Sequence, residues 1–129
     1  MANWNPASFT GRMFQIGGRH APPPVKLPAP VLWGDEATVR ERLAAGFEDV
    51  RTELIHIEFD LPFDPPHVVE FFRKYFGPTH VAFSRLDSAG QAAFAAELEA
   101  LWAAANVSGE PGRTTIKNEY LQVRATKKG

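Results

Sequence analysis

The segment from 21 to 30 constrains the fold more than any other, because five of its ten residues are proline. Proline fixes φ and lacks a backbone N–H, so this segment can be neither a helix nor a central strand. We expect a stiff, extended strap. Val25 and Leu27, with Val31 and Leu32 just after, favour a strap packed on its own domain, and a proline-rich ligand for an SH3-type domain is the alternative.

Composition limits the class of protein. With 129 residues, 44% hydrophobic and 22% charged, the chain is expected to form a single globular domain over 1–129. It has no cysteine, which excludes disulfides, thiolate catalysis and metal sites built on cysteine.

Charge and hydropathy patterns limit the partners. Lys and Arg total 14 against 15 Asp and Glu, so no overall field attracts nucleic acid or an anionic membrane, and we predict neither as a partner. There is no apolar run of about 18 residues, and residues 1–20 lack the zones of a signal peptide. We therefore expect a cytoplasmic protein.

The hydrophobic periodicity predicts an α+β fold with a small, mostly antiparallel sheet. The two long strands are expected at about 48–61 and 114–126, with a short third strand as an option. Residues 79–86 are ambiguous between a short strand and a helical turn. The packing helices are expected at about 6–16, 35–45, 65–76 and 89–105.

Local signals set the ends of these helices. Asn5-Pro6 and Asp64-Pro65 are typical helix starts, and Ser88 with Gln91 has the spacing of a capping box. Gly17-Gly18 is expected to stop the first helix.

Apolar residues recur at intervals that identify buried faces. Phe9, Met13 and Ile16 form one stripe of the first helix, whereas Phe14 falls outside the stripe and needs a second partner. In the third helix, Tyr75 is expected to point inward. The alternation in 48–61 changes phase, which predicts a bulge or burial on both faces.

The sequence offers little catalytic chemistry. No serine lies in a G-x-S-x-G turn, and no two histidines have metal-ligand spacing, so we assign no catalytic or metal residue. Asp64, His67 and His80 are the one alternative metal set, and His56 the one alternative acid–base group. The glycines at 17–18 and 109–112 do not follow a strand and open a helix, so no cofactor-binding residue is assigned.

An ordered series of motifs resembles the C-terminal half of class I S-adenosylmethionine-dependent methyltransferases, of the methyltransferase-11 or UbiE-like group. The similarity runs from about residue 2 to 126. The motifs are Ala2-Asn3-Trp4-x-Pro6-x-x-Phe9-x-Gly11-x-x-Phe14, Pro30-x-x-Trp33-Gly34-Asp35-Glu36, Ala45-Gly46-Phe47-Glu48-Asp49-Val50, Phe71-Phe72-x-x-Tyr75-Phe76-Gly77-Pro78 and Glu119-Tyr120-Leu121-x-Val123-x-Ala125.

This resemblance implies the C-terminal part of a Rossmann-like methyltransferase fold. Residues 2–4 would end its fifth strand, 48–61 would be its sixth strand, and 114–126 its antiparallel seventh. The first four strands, with the glycine-rich loop that holds S-adenosylmethionine, have no counterpart here. The chain alone is therefore expected to bind no cofactor and to supply the substrate side of the enzyme.

Two functions stay open at this stage. One is the substrate-side portion of a methyltransferase, working with a cofactor-binding partner chain on a small-molecule substrate. The other is a non-enzymatic module that binds a small ligand or a protein. For substrate contact we predict Trp4, Met13, Phe14 and Trp33, because Trp4 would end a strand where open α/β sheets bind ligands and Phe14 lies off the packing stripe. The alternative is that Trp4 and Trp33 are core aromatics.

The sequence also predicts self-association. Two or three strands form a marginal sheet, and the wide apolar arc of helix 65–76 together with Phe14 exceeds what two thin layers hide. A homo-oligomer, most simply a twofold dimer burying on the order of 1,200–2,000 Å², would cover it. Light scattering coupled to size exclusion at tens of micromolar protein tests this, and a monomer of one chain mass contradicts it.

Overall fold

The computed structural model describes residues 1–129 and has an α+β fold, as the sequence predicted. Three strands form an antiparallel sheet in the order β1–β3–β2. Both long strands and the short third strand are present. In chain order the elements are β1 Ala2–Trp4, α1 Phe9–His20, a 3-10 helix Pro30–Gly34, α2 Glu36–Leu43, β2 Phe47–Leu61, α3 Pro65–Tyr75, α4 Gly77–Ser84, α5 Ser88–Ala105 and β3 Thr114–Lys127.

The last strand pairs with the first. Ala2 lies opposite Gln122 and Trp4 opposite Tyr120 in an antiparallel register. The pairing continues at Met1, whose amino group donates to the Val123 carbonyl at 2.9 Å. The Val123 N–H donates back to the Met1 carbonyl at 2.8 Å. Residues more than a hundred positions apart therefore form one ladder.

The chain divides into two compact units, each assembled from separated segments. The first unit comprises 1–12, 27–57 and 118–129, and the second comprises 13–26 and 58–117.

The first unit has a core cluster formed by α2 and β3. Val39 packs with Leu121 and Val123, and three partly buried side chains pack against them: Trp33, Leu43 and Val50. α2 begins where the Asp35 carboxylate accepts a hydrogen bond from the Thr38 N–H at 3.0 Å.

A buried polar pair fixes the start of α1 in the same unit. The Asn118 amide donates to the Thr10 hydroxyl at 2.7 Å. Its oxygen accepts from the Thr10 backbone N–H at 3.3 Å. Because both side chains are buried, this pair satisfies polar groups that would otherwise be costly to desolvate.

The second unit is built around α5. Phe94, Leu98 and Trp102 are buried at helical spacing, as predicted. Trp102 contacts Phe72 of α3 with ring centroids 5.1 Å apart, and Phe94 contacts Phe83 of α4 at 4.5 Å. Aromatic packing of this kind contributes beyond the area it buries.

The predicted bounds of the first helix are wrong at both ends. α1 begins at Phe9, because the Ser8 hydroxyl accepts from the Gly11 N–H at 3.0 Å, whereas Asn5 instead caps the turn at Ala7. Gly17 and Gly18 do not stop it. Glycine costs only about 1 kcal/mol in a helix, and burial of Ile16 and Ala21 on either side keeps the helix intact through His20.

The ambiguous segment 79–86 is helical as far as Ser84, the last residue of α4. Phe76 is extended, and Pro78 fits the first turn of α4, so α3 and α4 meet without a loop. The predicted N-cap of α5 is wrong by one residue. The N-cap is Asp87 and not Ser88, since the Asp87 carboxylate accepts from the Gly90 N–H at 2.8 Å. Gln91 instead donates to the carbonyls of Phe83 and Leu86, both at 3.1 Å.

Two predictions of burial are also wrong. Tyr75 is 67% exposed, because α3 buries the face that carries Val68 and Val69 instead. The strap is neither helix nor strand, as predicted, but its Val25 and Leu27 are exposed. Packing begins only at the 3-10 helix, where the Pro30 carbonyl accepts from the Asn3 amide at 2.9 Å.

The predicted phase change in β2 is present. Val50 and Thr52 are partly buried, Glu53 and Leu54 are both exposed, and alternation resumes at Ile55. β3 makes a similar change, since burial moves from Asn118 to Leu121.

Gly34 is required by close backbone contact. A Cβ built on it would lie 1.8 Å from the Trp4 carbonyl oxygen, and backbone cannot move away as a flexible side chain would. We predict that Gly34→Ala lowers the free energy of unfolding by about 1–3 kcal/mol in urea denaturation. Gly46→Ala, where a Cβ would meet nothing within 4 Å, is the matched control and should change it by less than about 1 kcal/mol. Equal effects in both variants would contradict the prediction.

Candidate functional site

A groove in the second unit, lined mainly by α1 and α4, is the principal candidate site. It encloses about 330 Å³, the lower end of the range for small-molecule sites. We call it the α1–α4 groove. It is lined by Met13, Phe14, Gly17, Gly18, Ala21, Gly77, Pro78, Thr79, Val81, Ala82, Arg85 and Phe94.

Helical spacing and small side chains create this groove. Met13 and Gly17 are one turn apart on α1, and Pro78, Ala82 and Arg85 follow one face of α4. A Cβ built on Gly18 or Gly77 would meet nothing within 4 Å. The space is therefore open because its walls carry small residues.

Two of the four predicted substrate-contact residues line this groove. Met13 is buried, and Phe14 is partly buried with its ring stacked on Phe76, centroids 6.3 Å apart and planes 9° apart. Phe76 is thus the second partner that Phe14 was predicted to need.

The groove has little reactive chemistry. Thr79 and Arg85 are the only lining residues whose side chains carry a hydrogen-bond donor. Neither is a general base near neutral pH. The arrangement can bind and orient a molecule with an apolar body, but it contains no acid–base pair.

Trp4 lies at a separate hollow in the first unit. It is the last residue of β1, as predicted, and its ring meets Tyr120 edge to face with centroids 6.0 Å apart. The hollow encloses about 340 Å³ and is lined by Ala2, Asn3, Trp4 and Tyr120. This shallow surface is partly polar and partly apolar, because it combines carbonyl and amide groups with two aromatic rings.

Trp33 does not line that hollow. It packs against the Val39, Leu121 and Val123 cluster, and the Arg42 guanidinium lies 4.7 Å from its ring centroid. These contacts favour the alternative that Trp33 is a core aromatic. The Arg42 guanidinium adds a cation–π contact with the face of its ring.

The histidines make separate polar contacts. Arg19 and His20 both form hydrogen bonds with the Glu97 carboxylate. These bonds lower the pKa of the Glu97 carboxyl, and the bond from Arg19 has the larger effect. His56 lies 3.5 Å from Glu119. His80 donates from Nδ1 to the Arg73 carbonyl at 3.0 Å. No group of three metal-ligating side chains occurs, so Asp64, His67 and His80 do not form the alternative metal set.

Exposed aromatic rings form a second notable surface on the second unit. Phe71 of α3 lies 5.6 Å from Phe63 and 5.0 Å from Tyr75, measured between ring centroids. The Lys74 ammonium lies 5.3 Å from the Tyr75 ring. We call Phe63, Phe71 and Tyr75 the aromatic patch. Phe71 and Tyr75 of this patch are exposed, so part of the apolar face of α3 is accessible to solvent.

Sequence reasoning missed Thr79 and Arg85. Their helix was ambiguous because Gly77-Pro78 was read as the end of α3, although a proline in the first turn is equally a start signal. The spacing of Pro78, Ala82 and Arg85 would have identified the groove-facing side once α4 was known to be helical.

Comparison with models of known protein families and with curated proteins finds no match to this chain. No helix has the length and apolar character needed to cross a membrane.

Asp64 and His67 offer a direct test of local electrostatics. The hydrogen bond and charge of Asp64 raise the pKa of His67, and the same contact lowers the pKa of Asp64. Asp64 also caps α3 by accepting from the His67 N–H at 3.1 Å, a role that asparagine retains. We predict that Asp64→Asn lowers the pKa of His67, measured by NMR titration, with α3 intact.

Glu70→Gln is the matched control, because Glu70 is the weakest contributor to the raised pKa of His67. Its effect should be smaller than that of Asp64→Asn. An unchanged His67 pKa in Asp64→Asn would show that the Asp64 contact does not hold in solution.

Proposed function

We propose that this chain is the substrate-side portion of an S-adenosylmethionine-dependent methyltransferase and acts with a separately supplied cofactor-binding half. The observation that carries the proposal is the antiparallel pairing of the last strand with the first. The family resemblance implies that residues 114–126 are an antiparallel final strand, and β3 runs antiparallel to β1 with Trp4 opposite Tyr120.

The positions of the other motifs support the same proposal. The Gly46-Phe47 motif leads directly into β2, as the resemblance implies for the sixth strand. The Phe71-to-Pro78 motif spans the junction of α3 and α4, and the motif beginning at Glu119 lies within β3. The positions of these three motifs support the proposal.

The residues of this chain do not fit the cofactor itself. A dinucleotide-type site needs free backbone amides at a helix start and an acidic residue for the ribose. Gly17 and Gly18 lie inside α1, and Gly109 and Gly112 form a turn with positive φ before β3. We therefore assign S-adenosylmethionine to the cofactor-binding half and no step to this chain beyond substrate binding.

Binding and orientation are what this chain contributes. The α1–α4 groove can hold the apolar body of a small molecule against Met13 and Phe14. Fixing a substrate in one orientation removes much of the entropic barrier to a two-substrate reaction.

The second candidate is a non-enzymatic interaction module. The aromatic patch favours it, since Phe71 and Tyr75 are exposed large side chains in mutual contact. Contiguous exposed apolar surface of this kind commonly marks an interface.

Reconstitution distinguishes these functions. Neighbouring reading frames are searched for a polypeptide that carries a strand followed by a glycine-rich loop, and the chain is mixed with it. We predict that calorimetry detects no micromolar binding of S-adenosylmethionine to the chain alone, and that the mixture transfers methyl groups from it to small apolar acceptors.

Two variants locate the activity. Phe14→Ala should lower methyl transfer about tenfold or more by loosening substrate orientation. Phe47→Ala removes an aromatic side chain outside the groove and should leave the rate unchanged. Micromolar cofactor binding by the chain alone, or a mixture without methyl transfer, would overturn the proposal, and the latter would favour the interaction module.

A further inference from the structure

We propose that the α1–α4 groove binds a small apolar carboxylate, whose anionic group is recognised by Thr79 and Arg85. As a statement about substrate class this inference rests on the proposed function. The binding itself is a property of this chain and is measured without any partner.

Thr79 carries the argument, because its hydroxyl has no partner within the protein. The chain has five buried polar side chains: Ser8, Thr10, Thr79, Thr114 and Asn118. Four of them form hydrogen bonds through their side chains, including Thr10 with Asn118 and Thr114 with the Phe63 carbonyl, both at 2.7 Å. Thr79 is 7% exposed and forms none.

The Thr79 hydroxyl is nevertheless not sealed off. Every side-chain N or O atom that is fully excluded from solvent has a hydrogen-bond partner. The Thr79 hydroxyl oxygen has no such partner, so it must be partly accessible to solvent. Thr79 lines the groove, and the groove is the space that reaches it. Buried polar groups in native proteins are nearly always hydrogen-bonded. A ligand atom in the groove would supply the hydrogen-bond partner that the protein does not give Thr79.

The charges around Thr79 select an anion. Arg85 is the only charged residue that lines the groove, and it forms no ion pair or hydrogen bond with the protein. Phe76 gives the N-terminus of α4 no side-chain cap, and the backbone N–H of Thr79 lies in this first turn, where Pro78 has no N–H. Arg85 is the C-cap residue of α4, six residues after Thr79, and both residues line the groove.

The other walls select an apolar body. Met13, Phe14 and Phe94 supply aromatic and thioether surface, and the openings at Gly18 and Gly77 leave space between them. A volume of about 330 Å³ accommodates a molecule of one or two rings. A carboxylate on such a ring system satisfies Thr79 while the rings cover the apolar walls.

The test compares two probes of the same shape that differ in charge. 2-Naphthoate and 2-naphthylmethanol are titrated into the chain and followed by calorimetry at neutral pH. We expect 2-naphthoate to bind about tenfold tighter, because hydrogen bonds to a charged group are worth more than those to a neutral one.

Three variants identify the site. Thr79→Val should weaken 2-naphthoate binding about tenfold, with no loss of thermal stability, since no internal hydrogen bond is removed. Arg85→Gln, at an exposed position, should weaken 2-naphthoate binding but not 2-naphthylmethanol binding. Gly18→Leu should abolish binding of both probes by filling the groove, whereas Gln15→Leu, on the exposed side of the same helix, should leave it unchanged.

Equal affinity for the two probes would overturn the recognition of an anion. Binding that survives Gly18→Leu, or no binding at all, would overturn the groove as the site. If 2-naphthoate binds as expected but the reconstituted mixture transfers no methyl group, the site stands and the proposed function fails.

Discussion

The antiparallel ladder between β1 and β3 is the interaction on which the rest of the structure depends. It joins Met1 to Val123 and Trp4 to Tyr120, so the two ends of the sequence form one sheet. Trp4 then presents its carbonyl to Gly34, and the Asn5 amide donates to the Gly34 carbonyl at 3.2 Å. Pairing β1 with β3 closes a loop of more than a hundred residues. The chain loses conformational entropy in closing this loop before the contacts around the pairing can form.

Buried polar contacts make this long-range pairing specific. Asn118 is the last buried residue before the change in burial phase of β3, and its amide donates to the Thr10 hydroxyl at the start of α1. A shift of the register by one residue would move Asn118 away from Thr10 and place Leu121 on the other face. At the other end of the strand, Arg113 binds both oxygens of Asp60, and this contact holds the pKa of the Asp60 carboxyl below its usual range.

Strong periodicity made part of this fold predictable. α5 has apolar residues at every turn, and β2 alternates on either side of its change of phase, so the type of both elements followed from sequence alone. The end of α1 did not, because the penalty of Gly17 and Gly18 is outweighed by burial of Ile16 and Ala21. In the candidate site, Phe14 was identified because it lies off the packing stripe of its helix. Trp33 was indistinguishable from a core aromatic until its contacts were known. Thr79 could not be identified from the sequence, because whether a threonine hydroxyl has a hydrogen-bond partner depends on the tertiary structure around it.

The strap determines where a protease can cut this chain. Proteases bind extended, exposed backbone, which residues 22–29 provide. A proline at or beside the scissile bond blocks most of them, because the ring fixes φ and removes an amide. Only the stretch Val25-Lys26-Leu27 between the prolines is open to cleavage, and Lys26 is the last residue of its segment in the second unit. A single trypsin-type cut there would separate α1 from α2 in sequence while leaving every helix and strand whole.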